Sequence, residues 1–326
     1  MHGRTPALLA LVLTSPCFAH HGVAPHYDAS KSVTLEGVVA KFDFINPHSF
    51  VYVDVVDNAG HTETWSCEMA SRSVLSRNGL TAERFAVGAK ITIHGDAARN
   101  KATGCQVRTA HFADGTVLRD TTLYAPTHAA EADLPADRQS IVGVWTMKRF
   151  LAPRTFGVLT DAGKRASAAF DPIEDDPAIK CDPGSPVRFW INVNEPFEIK
   201  RDGNTVIVDH QFMDTKRVIH LNETAPPPGT ARSTMGYSTG RFDGNALVIE
   251  TTNFVAATLE PRERVMHTAN LKLTERLAVN PQSHELEITW TINDPTVFKE
   301  PYKQTELYVR SDRWTAPYNC KPGYQQ

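Results

Sequence analysis

The chain lacks any apolar run of membrane-spanning length. Its one uninterrupted hydrophobic stretch is residues 7–13, against the roughly 18–20 residues that a crossing helix needs, so no membrane insertion is expected. It also lacks a basic run: 34 Lys and Arg stand against 37 Asp and Glu, for a formal net charge of −3. That balance gives no electrostatic reason to bind nucleic acid or an anionic bilayer. The five cysteines, at 17, 67, 105, 181 and 320, never fall in Cys-x-x-Cys spacing, which excludes the common redox motif and zinc ribbons. No nucleophile with a suitable base beside it is visible and no nucleotide cofactor is expected. Catalytic residues stay unassigned and enzyme activity stays open, with the weight of the sequence against it.

What is present is an ordinary globular composition, with 41% hydrophobic and 22% charged residues over 326 positions, comfortable for two domains. Residues 1–19 begin with a basic group at Arg4, continue through the apolar run, and end Cys17-Phe18-Ala19. Small residues at −3 and −1 of a cut after Ala19 give the pattern of a secretory signal peptide. Pro16 before Cys17 argues against a lipid anchor. The expected location is therefore periplasmic or secreted. In an oxidising compartment the four remaining cysteines favour disulfides, with three pairings open to them. Cys67–Cys105 with Cys181–Cys320 is the simplest pairing, and reduced buried thiols are the alternative.

Residues 32–44, 49–56, 61–68, 90–95 and 106–112 alternate and are rich in β-branched and aromatic side chains, which predicts five strands. A short helical stretch at 71–77 falls between the third and fourth. That order matches an OB-like five-stranded barrel over residues 20–120. Residues 121–139 lose periodicity and hold Pro126 and Pro135, as a linker would. Residues 140–326 are again β-rich, with candidate strands that include 188–192 and one long run at 265–279. Two hairpins share the turn Asp-Gly-Asn, at 202–204 and 243–245. The expected form is an antiparallel up-and-down barrel. Gly143-Val144-Trp145 resembles the Gly-x-Trp that opens lipocalins, so the barrel is expected to be lipocalin-like. The fold class is thus all-β throughout, and the proline-rich residues 150–187 are expected to lie across one barrel mouth.

Of the thirteen histidines, eight lie between His20 and His128. Cleavage after Ala19 would give His20 both a free α-amine and an imidazole, two donors able to close a chelate ring. A further imidazole would complete a tetragonal nitrogen set suited to Cu(II). His20, His21, His26 and His48 are the candidate metal ligands, and copper is the one cofactor considered. His48 is placed by the turn Asn46-Pro47-His48. The alternatives are an untethered N-terminus with His48 bonded inside its turn, or acid–base work by His48 with Asp28 or Glu68.

His20-His21-Gly22, Tyr27-Asp28, residues 33–37 and Asn46-Pro47-His48 together resemble an exported bacterial family of unknown function, over roughly residues 20–118. Its members begin the mature chain with His-His-Ser and carry Trp-x-Asn-Pro-His; here Gly22 replaces the serine and Phe44 the tryptophan. The resemblance implies a small exported β-domain and marks His20, His21, Asn46 and His48, without an activity. Residues 236–244 (Gly-Tyr-Ser-Thr-Gly-Arg-Phe-Asp-Gly), with Glu275-Arg276 and Asp294-Pro295, resemble a second exported β-rich family over most of 140–320. In it Gly-Arg-Trp-Glu-Gly is usual, and its function too is unassigned.

Polar residues inside the second set of strands are the candidate ligand contacts: Arg241, Glu250, His267 and Glu275. Alternation on an unbroken strand would set His267, Leu271, Leu273 and Glu275 on one face. An apolar cavity with a few such groups orients a small hydrophobic molecule; the alternative is outward charges in cross-strand pairs. The leading reading is an exported binding protein with a copper site and a hydrophobic ligand cavity. A hydrolase, lyase or isomerase acting in the barrel, and a cell-envelope interaction module without metal, are the alternatives.

Overall fold

The chain is described by a computed structural model over residues 26–119, 137, 139–148, 156–191, 195–311 and 317–322. The expected leader, with His20 and His21, and nearly all of the expected linker lie outside these residues.

The N-terminal sheet uses β1 (Tyr27–Asp43), β2 (Phe50–Val56), β3 (Thr62–Glu68), helix α1 (Arg72–Arg77), β4 (Lys90–Ala98), β5 (Gly104–Phe112) and β6 (Val117–Arg119). Its order is β3-β2-β1-β4-β5-β6, and an extra parallel pairing of β3 with β5 closes the first five strands on themselves. Cys67 stands directly opposite Cys105 in that pairing, and a disulfide joins them. So small a ring forces strands together where they bend. A Cβ on Gly37 would lie 2.2 Å from Asp54 O, and one on Gly95 2.2 Å from Gln106 O; only glycine allows that backbone approach. The alternating inward residues Leu35, Val39, Val51, Val53, Ile91, Ile93 and Val107 fill the interior, with Leu75 of α1 and Phe85 against them. Ser71 caps α1, its hydroxyl accepting from Val74 N at 3.3 Å.

The C-terminal half runs β7 (Gly143–Met147), α2 (Asp161–Ala169), α3 (Pro186–Ile191), β8 (Phe197–Asp202), β9 (Thr205–His210), β10 (Thr215–His220), β11 (Tyr237–Asp243), β12 (Ala246–Thr252), β13 (Ala257–Glu260), β14 (Val265–His267), β15 (Lys272–Val279), β16 (Leu286–Asn293) and β17 (Tyr302–Arg310). Nine of these strands close a barrel in the order β10-β11-β12-β15-β16-β17-β7-β8-β9, while β13 and β14 form a separate two-stranded sheet. Both Asp-Gly-Asn sites make tight hairpins, with Gly203 and Gly244 at φ 54° and 59°. The molecule is all-β in class.

Three expectations change. Residues 188–191 of the segment expected as a strand at 188–192 belong to α3, and all six residues of that helix are buried. A short apolar run cannot be told from a buried helix by periodicity alone. The long strand expected at 265–279 is broken: Thr268 Oγ1 accepts from Asn270 N at 3.1 Å and Thr268 N donates to Asp294 Oδ2 at 2.7 Å. That side-chain turn sends β14 and β15 to different sheets. The barrel is also not wholly antiparallel, since β10 and β11 pair in parallel.

Candidate functional site

Asn46-Pro47-His48 links β1 to β2 through a cis Asn46–Pro47 peptide. Asn46 is fully buried. Its Oδ1 accepts from Ser73 N at 3.1 Å, its Nδ2 donates to Tyr318 O at 2.5 Å, and its carbonyl accepts from Lys321 N at 2.8 Å. Arg72 Nη2 also donates to Pro317 O at 2.6 Å. The turn is thus gripped by α1 on one side and by residues 317–322 on the other. The Cys181–Cys320 disulfide ties that last segment to the barrel half, and Tyr318 N and Asn319 N donate to Asp214 at 2.7 and 2.8 Å.

So held, His48 turns its Nδ1 onto Glu68 Oε1. Glu68, at the end of β3, is buried, and its Oε2 accepts from the Tyr27 hydroxyl at 2.7 Å. One carboxylate therefore anchors both the start of β1 and the turn imidazole. Burial works to lower the pKa of His48, but the charge and hydrogen bond of Glu68, with Asp176 adding to them, outweigh it and hold the imidazole above its ordinary value. Burial likewise works to raise Glu68, and His48, Tyr27 and His26 outweigh it, so the carboxyl sits below its ordinary value. The His48 side chain is 26% exposed. A carboxylate on one ring nitrogen is an outer-shell arrangement common among metal-binding histidines.

The two halves also meet through charge. Glu195 is buried; it accepts from Ser73 Oγ at 2.9 Å and lies 3.6 Å from Arg77 Nη2, while Arg77 Nη1 donates to Gln211 Oε1 at 2.9 Å. Burial raises the Glu195 pKa against the pull of Arg77 and Ser73.

Inside the barrel, Arg217 and Glu275 form a buried bidentate ion pair at 2.8 and 2.5 Å. Arg217 also donates to Ser238 Oγ at 3.1 Å and Thr251 Oγ1 at 2.8 Å, and Trp190 of α3 donates its indole N–H to Glu275 Oε1 at 2.5 Å. The Tyr308 hydroxyl closes on Trp190 O. Trp145, Trp290, Phe197 and Tyr308 pack the rest of the interior with α3.

Of the expected metal ligands, His26 and His48 both neighbour Glu68, and His20 and His21 lie outside the described residues. Among the described residues no group of three His, Cys, Asp or Glu could hold a metal ion. Of the expected ligand contacts, only Glu275 faces the lumen polar group. Arg241 and Glu250 are exposed, because Ile249 and Thr251, on either side of Glu250, are the buried ones. They are corrected to the outer surface. His267 is buried in the separate sheet, edge-on to Phe254, with burial lowering its pKa. It shares no strand face with Glu275. Sequence reasoning missed Arg217, Ser238, Thr251 and Trp190; the available signal was that a buried Glu275 must find a cation, and Arg217 alternates with Ile219 on the inward face of β10.

Chemically this is a two-part β-protein with a polar junction and a filled barrel. Residues 9–106 match the model of a family of unknown function, DUF6152. No curated protein matches the chain. Among solved structures, the chain is similar to an abundant heat soluble (SAHS) protein of Ramazzottius varieornatus, at 16% identity over 55% of this chain and 100% of that one, with a TM-score of 0.27. It is similar also to the fluorescent protein UnaG, at 14% identity over 52% of this chain and 97% of that one, with a TM-score of 0.26. The two disulfides fit an oxidising compartment, and no described helix is long and apolar enough to cross a membrane.

Proposed function

We propose that this is an exported binding protein whose N-terminal module takes a copper-type ion between the processed N-terminus and His48. The observation that carries this reading is the shared Glu68 carboxylate, which accepts from Tyr27 and aims His48 from the same place. Six residues lie between His20 and Tyr27, a tether of at most about 25 Å, so a chain cut after Ala19 brings the His20 amine and ring within reach of His48. His21 and His26 are the further donors. Cu(II) is favoured because an amine with imidazoles makes a tetragonal nitrogen set. The ring closure β1-β2-β3-β5-β4, with α1 between β3 and β4, supports an OB-like reading of this module. The C-terminal barrel is read as a lipocalin-like module from the second exported family, joined to the first in one chain.

The test is Cu(II) titration of the secreted, processed chain, with its N-terminus read by mass spectrometry. A start at His20 and an affinity at least about tenfold weaker in His48→Ala are expected, since removing even an outer-shell partner of a metal ligand costs about 10- to 100-fold. A start downstream of His21, or equal affinities, would refute the site.

A second reading is favoured by the polar group in the barrel. A few convergent polar side chains in an apolar enclosure are the composition of a site for a small hydrophobic molecule, and such a ligand would take the place of Trp190 against Glu275. Quenching or shift of tryptophan emission on addition of a fatty acid tests it. An emission spectrum unmoved by saturating ligand would sink it.

A further inference from the structure

A second pair of imidazoles stands apart from His48, on the outer face of the N-terminal sheet. His94 of β4 is exposed and His111 of β5 is half-buried. The strands pair antiparallel, with His94 opposite Thr109 and His111 opposite Thr92, so the two histidines are diagonal neighbours on one face. Their ring centres are 5.2 Å apart and the rings are nearly perpendicular, at 86°. Each ring is also held by a threonine. Thr34 Oγ1 lies 3.0 Å from His94 Nδ1, and Thr109 Oγ1 lies 3.2 Å from His111 Nε2. A neutral imidazole has one N–H and one lone pair. With the hydroxyl oxygens accepting, the lone pairs rest on His94 Nε2 and His111 Nδ1.

The spacing can be compared with what a metal requires. Ligand nitrogens sit about 2.0–2.1 Å from a Zn²⁺-sized ion, and the ring centre lies about 1.1 Å behind each nitrogen, so two imidazoles at 90–110° hold their centres roughly 4.5–5.3 Å apart. The observed 5.2 Å falls in that range without any movement of the strands. Along the sheet, Glu36 is opposite Thr92 and Arg119 is opposite Thr109, so one carboxylate and one guanidinium flank the pair and neither sign dominates.

We infer that His94 and His111 form a two-imidazole surface site for a divalent first-row metal ion, Cu(II) foremost by the Irving–Williams order, with water completing the coordination. The site is separate from the one proposed at His48. Tyr27, which marks that site, pairs with Ala98, four residues along β4 from His94 and so about 13 Å away along the strand.

The experiment is isothermal titration of the processed full chain with Cu(II) alone, comparing wild type, His94→Gln, His111→Gln and His48→Ala. Both glutamine variants replace surface residues, and unchanged far-ultraviolet circular dichroism verifies their fold. One binding event should weaken at least about tenfold in each glutamine variant, as loss of a direct ligand must exceed the 10- to 100-fold cost of losing an outer-shell partner. The same event should persist in His48→Ala. Identical titrations for wild type and both glutamine variants would overturn the inference. Copper binding lost only in His48→Ala would overturn it too, while leaving the proposed N-terminal site standing.

Discussion

The buried pair in the barrel makes the sharpest stability prediction. Arg217 and Glu275 have side-chain exposures of 3% and 0%, so removing one partner strands a full charge where water cannot reach it. Glu275→Leu deletes two ion-pair hydrogen bonds and the acceptor of the Trp190 indole. The expected cost is about 3–5 kcal/mol, the usual penalty for breaking a buried pair from one side. In a unit of this size that lowers Tm by roughly 6–20 °C, at about 2–4 °C per kcal/mol. Arg217→Met should cost a similar amount. The double variant should recover most of the loss, because two apolar side chains of similar volume can replace a buried pair at little net cost. Ser238 and Thr251 keep each other as partners at 3.0 Å, and the residual penalty is the Trp190 indole without an acceptor, about 1–3 kcal/mol. Urea unfolding followed by tryptophan fluorescence, run as a double-mutant cycle, measures the coupling. Single variants that cost under 1 kcal/mol, or a double variant that simply sums the two singles, would refute the account of this lumen.

Two other outcomes follow from the same geometry. The His48 imidazole has a raised folded pKa, so its contribution to stability is complete below its unfolded value and is lost as pH rises through the folded one. Glu68 has a lowered folded pKa, so its contribution is present above its unfolded value and fades as pH falls through the folded one. The pair therefore contributes most between roughly pH 4.5 and 6.5; thermal unfolding across pH should show His48→Gln losing stability there, and a uniform offset at every pH would contradict the pairing. Arg241→Ala and Glu250→Ala, both on the outer barrel surface, should each change stability by no more than about 0.5 kcal/mol. A loss of 2 kcal/mol or more in denaturant unfolding would return either residue to the interior.

Much of the scaffold was legible because each half-buried strand writes its own period. Alternation located β2, β3, β5 and the paired hairpins, and the cysteine count favoured the two bridges that form. What stayed hidden depends on residues distant in the chain. Residues 186–191 are buried on every side, Arg188 included, and a uniformly buried segment carries no period to read. Glu275 was visible as a buried-strand carboxylate, but its partner Arg217 is 58 residues away, and no local pattern pairs them. The break after His267 depended on Thr268 and Asp294 acting together, so a run that scored as one strand became two. At the candidate site the sequence marked Asn46 and His48 as neighbours in one turn, and that turn links β1 to β2. The sequence offered Glu68 only as one of two carboxylates that His48 could work with, and gave no hint that Tyr318 grips the turn.

That second contact changes what the Asn-Pro-His turn is for. Asn46 spends its side chain and its carbonyl on residues from both halves of the molecule: Ser73 of α1, and Tyr318 and Lys321 of the C-terminal segment. Asn46, Ser73 and Tyr318 are buried, and a polar group left unpaired there costs about 1–3 kcal/mol; Lys321 is exposed. The turn therefore keeps its shape only while the C-terminal segment is docked, and the Cys181–Cys320 bridge keeps that segment within reach. Since His48 follows Asn46 by two residues, the direction of its ring depends on a disulfide 139 residues in span that lies in the other half. The orientation of the imidazole is thus a property of the assembled chain, not of the N-terminal sheet by itself.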